Sequence, residues 1–333
     1  MNYKKILIIK TGAIGDFIAG TIAIKASRDR FPEAQITLLS NSPNDLICPA
    51  LSIIDDFIEY KRSGYFGLIL CLMKERFDLA VNLKWGNDFF PFLCFLVGKK
   101  TAGSGKLLKP LYTFSPEKNV FNDPNRHEYL LNLEIAESIG FKVTEMEAFT
   151  DFGDEEAGFV HSFFEQRKIN TQKNLLMSPG ASTILKAWPK ERYIEIGKKF
   201  IHEFEGDVII SWAPEDRALV EEVANSIGDR AFMTPPTGLR QIFALVHNVK
   251  MLLCNNSGIL HMAYAAKTPT VCLNTSIGWE PFGEFTTPIN AFQEDKLYLN
   301  RMQSNEENAV LLRQISVDRT WDVIMGKWRE FYG

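Results

Sequence analysis

A chain of 333 residues that is 46% hydrophobic and 23% charged is too long for one ordinary core and suits two domains of about 150 residues each. Its net charge is −4, with the first 150 residues nearly balanced and the acidic excess in the remainder. That excludes a general nucleic-acid binder, which carries a strongly basic face. No window reaches the roughly 18 consecutive apolar residues of a membrane span, and MNYKKILII lacks the pattern of a signal peptide, so a cytoplasmic location is expected.

The first half alternates short apolar runs with helical patterns. KILIIK reads as a strand, a helix follows from about Phe17 to Phe31, and QITLLS is a second strand. A short helix, IDDFIEY, a helix around Tyr65 to Phe77, LAVNLK and the apolar stretch DFFPFLCFLVG come next. The pattern breaks between 103 and 125, Arg126 to Ile139 reads as a helix, and an acidic irregular stretch precedes a boundary placed near 150 to 172. The second half restarts the rhythm with NLLMSPG, a helix from about Lys190 to Glu205, DVIISW, a helix from Glu215 to Ile227 and AFMTP. LRQIFALVHN, KMLLCNN, SGILHMAYAAK and TPTVCLN complete it. This βαβ rhythm predicts α/β architecture, two tandem doubly wound Rossmann-like domains facing one another across a cleft. The expected division is 1–160, 161–310 and a C-terminal helix in 311–333 that crosses back toward the first domain. The five cysteines show no C-x-x-C spacing, which argues against disulfides or zinc and predicts buried thiols.

Three strand-to-helix junctions carry candidate chemistry. In KTGAIGD, residues 10–16, Gly12 and Gly15 shape the turn and Asp16 opens the helix; the G-x-G-x-x-G and acidic ribose contact of a dinucleotide fold are missing. Two readings of Asp16 stand: a helix cap favoured by the macrodipole, or a general base at the domain's ligand edge. In SPGASTILKAWP, the small residues through Ser182 admit backbone amides to an anion and Lys186 adds a point charge suited to a diphosphate. In NNSGILH, Ser257 and Gly258 open a helix whose first amides form a second anion site, with His261 one turn in. A fourth stretch, Lys99, Lys100, Lys106 and Lys109 after DFFPFLCFLVG, reads either as a core helix followed by a solvated loop or as a surface for an anionic, lipid-linked acceptor or a membrane. The absence of any D-x-D triplet argues against a metal-bridged diphosphate, and no metal or cofactor is expected.

Taken in order, K-T-x-x-x-G-D, the segment ending K-A-W-P and N-S-G-I-L-H resemble the ADP-heptose:lipopolysaccharide heptosyltransferases, glycosyltransferase family 9 with the GT-B fold. The resemblance extends over nearly the whole chain. It implies inverting, metal-independent transfer of heptose or a similar sugar from a nucleotide-diphosphate donor, ADP-linked, to a hydroxyl of a lipopolysaccharide-core or other cell-surface glycan. Asp16 is then the general base, while Ser182, Lys186, Ser257 and Gly258 stabilise the leaving diphosphate. Glu215 takes the place of the family's acidic ribose contact, Thr237 lies in the nucleobase-side segment and His261 matches the donor-binding histidine. The family's usual Asp is replaced here by Asn256, at a position associated with donor sugar hydroxyls. An amide still hydrogen-bonds hydroxyls but carries no charge, which leaves the donor sugar open. The competing reading is a non-catalytic sugar-nucleotide-binding protein on the same scaffold.

Overall fold

The computed structural model describes residues 2–47, 52–61, 64–84, 89–104, 108–116, 128–141, 148–149, 151–181, 187–274, 284–290 and 310–333. The chain divides into two compact units, Met1–Asp151 and Phe152–Gly333. Each is a doubly wound parallel α/β unit. Among the described residues no helix is long and apolar enough to cross a membrane.

In the first unit β1 (Lys5–Ile9), β2 (Gln35–Ser40), β3 (Asp56–Glu59), β4 (Phe77–Asn82) and β5 (Gly98–Gly103) form a sheet of order β3-β2-β1-β4-β5. Right-handed crossovers distribute the helices over both faces. Accordingly α1 (Ile14–Arg30) packs with α4 (Glu128–Ser138), and α2 (Tyr65–Glu75) packs with α3 (Phe89–Val97). Strands covered on both faces explain the continuous apolar run ILII, whose four residues are fully buried. The strand order reverses between β1 and β4, and ligands of such sheets bind outside the carboxyl ends of the strands at that point.

β5 departs from the sequence reading, which places Lys99 and Lys100 in the stretch after a core helix. They lie in an edge strand, where exposed lysines also discourage pairing with a foreign strand. Cys94, Cys254 and Cys272 are buried as expected, but Cys71 is exposed on α2.

In the second unit β6 (Asn174–Ser178), β7 (Asp207–Ile210), β8 (Ala231–Met233), β9 (Met251–Asn255), β10 (Thr270–Asn274) and β11 (Thr286–Asn290) give the order β11-β10-β9-β6-β7-β8. Its reversal lies between β6 and β9. The helices are α5 (Asp154–Arg167), α6 (Lys190–Phe204), α7 (Arg217–Ile227), α8 (Leu239–Asn248), α9 (Gly258–Ala265) and α10 (Val317–Tyr332). The end of the acidic stretch is therefore helical from Asp154 on: Gly153 opens α5, and the Glu156 carboxylate turns back to the Gly153 N–H at 2.9 Å. Glu156 is also paired with Arg240, 3.0 Å away on α8. The C-terminal helix α10, expected to reach toward the first domain, contributes Ile324 and Trp328 to the core of the second unit, against α6.

Candidate active site

Lys10 directly follows β1 and is fully buried. Its Nζ donates to the Leu83 carbonyl at 3.2 Å just beyond β4, to Glu128 Oε1 at 2.5 Å and to Asn132 Oδ1 at 3.3 Å, both on α4. A charge taken out of water needs such partners. The lysine thereby fastens the two strands that flank the reversal, and its stem fills the space over Gly20 of α1, where a Cβ would collide with it.

The following turn is clamped from β2's side. Asn41 Oδ1 accepts the Gly12 N–H at 2.7 Å, and the amide groups of Asn41 and Asn44 donate to the Gly12 carbonyl at 3.3 and 3.1 Å. Gly12 sits at φ +140°, a backbone conformation that L side chains avoid. α1 then begins at Ile14, three residues earlier than the periodicity suggests, so Gly15 is buried inside its first turn and Asp16 is the third helical residue. Asp16 Oδ2 accepts the Ala13 N–H at 3.3 Å and lies 3.7 Å from Lys84 Nζ. The capping role read from the sequence is thus realised. The carboxylate remains 22% exposed, at the carboxyl edge and at the reversal of its sheet, where a reacting group can be met.

In the second unit Asn255 ends β9 at the reversal and is almost wholly buried. Its Nδ2 donates to the carbonyls of Pro179 and Gly180 at 2.9 and 3.2 Å, and its Oδ1 accepts the Trp188 N–H at 3.1 Å. One side chain therefore pins both ends of the loop that carries Ser182 and Lys186, two expected donor contacts that lie outside the described residues. Asn256 donates to Asn274 Oδ1 at 3.0 Å, across the ends of β9 and β10. Ser257 is the N-cap of α9, its own side chain makes no capping hydrogen bond, and Gly258 is the first residue of the helix. The first-turn amides thus point toward the carboxyl edge of the sheet. His261, on the same turn, is buried.

Glu215 is exposed on a single 3₁₀ turn after β7, while its neighbour Asp216 packs so closely on Gly180 that a Cβ there would overlap the carboxylate. Burial, and then the charge of Glu215, pushes the Asp216 carboxyl above its ordinary range. The Oγ1 atoms of Thr234 and Thr237, on the turn from β8 to α8, are buried and have no hydrogen-bond partner among the described residues. Such hydroxyls hold unused bonding capacity beside the same edge. A separate cavity of about 770 Å³, lined by His161, His247, Lys250 and Tyr332 among others, contains none of the motif residues.

The structure places Gly12, Gly15 and Asp16 together at one sheet reversal, and Asn256, Ser257, Gly258 and His261 together at the other. Glu215 and Thr237 extend from the carboxyl ends of β7 and β8. Sequence reasoning passed over Lys10, Lys84, Asn255 and Asp216. A lysine closing an otherwise apolar strand, and an asparagine doubled as NN after MLLC, are the only local signals of the first and third. Among the described residues no group of three His, Cys, Asp or Glu side chains is arranged to hold a metal ion.

A family model described as glycosyltransferase family 9 (heptosyltransferase) matches residues 131–307. The lipopolysaccharide core heptosyltransferase OpsX of Haemophilus influenzae is 23% identical over 313 residues, covering 88% of this chain and 86% of that protein. The crystal structure of a family 9 glycosyl transferase from Veillonella parvula has a TM-score of 0.82 at 19% identity, covering 99% of this chain and 98% of that one. ADP-heptose lipopolysaccharide heptosyltransferase II of E. coli has a TM-score of 0.72 at 16% identity, with 99% and 100% covered. E. coli heptosyltransferase WaaC with ADP-2-deoxy-2-fluoro heptose has a TM-score of 0.71 at 14% identity, with 97% and 99% covered. The family match spans more than half of the chain, and this protein is a glycosyltransferase that belongs to glycosyltransferase family 9 (heptosyltransferase).

Proposed function

We propose that this enzyme transfers heptose or a closely related sugar, with inversion and without a metal ion, from an ADP-linked donor to a hydroxyl of a lipopolysaccharide-core glycan. The names of OpsX, heptosyltransferase II and WaaC support the donor and acceptor class. The observation that carries the mechanism is Asp16, a partly exposed carboxylate fixed at the reversal of the first sheet by its own helix and by Lys84.

In this reading Asp16 removes the acceptor hydroxyl proton as that oxygen attacks the anomeric carbon. The bond from that carbon to the diphosphate breaks on the opposite face, and negative charge grows on the leaving group. Lys186, Ser182 and the α9 amides at Ser257 and Gly258 receive that charge, Glu215 meets the ribose, and Thr237 meets the base side. His261 and Asn256 hold the donor sugar end. Catalysis then rests on charge placed where it develops in the transition state.

The decisive experiment compares wild type with Asp16→Asn. Transfer from ADP-heptose is expected to fall by about 10²-fold or more, while ADP affinity by calorimetry stays within about twofold. Turnover of the variant at a rate near wild type removes Asp16 from the mechanism. Tight binding of ADP-heptose by wild type, with neither transfer nor hydrolysis, favours a non-catalytic donor-binding protein instead.

A further inference from the structure

Two neighbouring helices of the first unit turn large apolar side chains outward. On α2, Phe66, Leu70 and Met73 follow the i, i+4, i+7 spacing of one helical face, and on α3, Phe92 and Phe95 lie three residues apart. Their exposures run from 45% at Leu70 to 76% at Phe66. α2 and α3 pack on one another, so the two stripes are carried by neighbouring helices. No charged residue occurs on α2 before Lys74, and none on α3. A soluble surface seldom displays so much aromatic and aliphatic area without a use for it.

The surroundings identify the use. α2 leads into β4 and α3 into β5, so both helices run antiparallel to the strands and end at the amino edge of the sheet. There Lys4, Lys5, Lys74, Arg76, Lys99 and Lys100 gather at the starts of β1, β4 and β5. The carboxylates among them are Glu75, 3.0 Å from Lys5, and Asp78, 2.8 Å from Lys99. Cations outnumber acids at the starts of these three strands, while Asp55 and Asp56 at the start of β3 are engaged by Arg28 and Gln35. The helix starts, with Phe66 and Phe92, lie toward the carboxyl edge where Asp16 and Lys84 stand. An aromatic and aliphatic stripe bordered by lysines matches an interface of acyl chains beneath anionic headgroups.

We infer that the α2–α3 face docks this enzyme on an anionic lipid bilayer, with Phe66, Leu70, Met73, Phe92 and Phe95 entering the interface and the basic rim contacting headgroups. This stands apart from the transfer reaction, and its test needs neither donor nor acceptor. The full chain is floated with phosphatidylcholine vesicles, with and without about one third phosphatidylglycerol. It is expected to float with the anionic vesicles and to be released as salt rises.

Phe66→Ser combined with Phe95→Ser should lower the bound fraction about tenfold, and Lys74→Glu combined with Lys100→Glu should abolish the preference for anionic lipid. Thermal melts confirm that each variant is folded, and either pair alone suffices for the comparison. Wild type left in the dense fraction with anionic vesicles overturns the assignment, as do variants that float like wild type. A wild-type dimer in light scattering that the Phe substitutions split into monomers also overturns it, because the face then belongs to a second copy of the chain.

Discussion

Gly12 and Asp16 occupy adjoining space: a Cβ on Gly12 would lie 2.5 Å from Oδ2 of Asp16. The turn therefore excludes a side chain twice over, by its φ of +140° and by the carboxylate packed above it. Gly12→Ala is expected to cost about 1–3 kcal/mol of stability. Because relief of the collision moves the carboxylate, transfer should fall by more than the folded fraction does. Denaturant titration and initial rates on the same preparation check this, and an alanine variant with wild-type stability and rate contradicts it.

Lys10 and Glu128 form a buried pair whose partners cannot be removed singly without leaving a charge behind. Lys10→Met should destabilise the first unit by about 3–5 kcal/mol, and Lys10→Met with Glu128→Leu should recover much of that loss. Equal urea midpoints for the single and double variants count against the pair as the cause.

Asn255→Ala removes three hydrogen bonds that anchor residues 179, 180 and 188. A stability loss of about 1–3 kcal/mol is expected. Slackening of the loop bearing Lys186 should weaken ADP binding by about tenfold or more, since positioned charge is worth more than mobile charge. Calorimetry with ADP reads this directly, and unchanged affinity shows that the loop holds its shape without the clamp.

Acid should weaken the first unit through Asp78. The side chain of Lys99, followed by the backbone N–H of Lys4, holds its carboxyl below the ordinary Asp range. A carboxyl depressed in the folded state contributes stability that is complete above its unfolded pKa and is lost as pH falls through the folded one. Asp78→Asn should therefore be less stable than wild type near neutrality and converge with it in acid. Parallel melting curves for the two proteins down to low pH would contradict the linkage.

The architecture was legible because both signals behind it are local. Apolar runs such as KILIIK and NLLMS, spaced by helical periodicity, announce buried parallel strands. β5 and α5 escaped that reading for physical reasons. β5 is an edge strand written GKKTAG, whose lysines face solvent, and α5 opens with DEE, where charge at a helix start masks the apolar face formed by Val160, Phe163 and Phe164. Short motifs ending at strand tips likewise marked Asp16, Asn256 and Ser257, because a ligand edge is built from residues close in sequence to their strands.

What the sequence alone determined is thus the kind of fold and the family likeness, and it singled out the turns that are candidates for chemistry. Only the tertiary structure decided what supports those turns. Lys10 reaching Leu83 and α4, Lys84 beside Asp16, Asn255 spanning to Trp188 and the outward stripe of α2 and α3 all join residues distant in sequence. Their pairing follows from strand order and helix packing, and no local pattern encodes which distant partner a buried polar group will find.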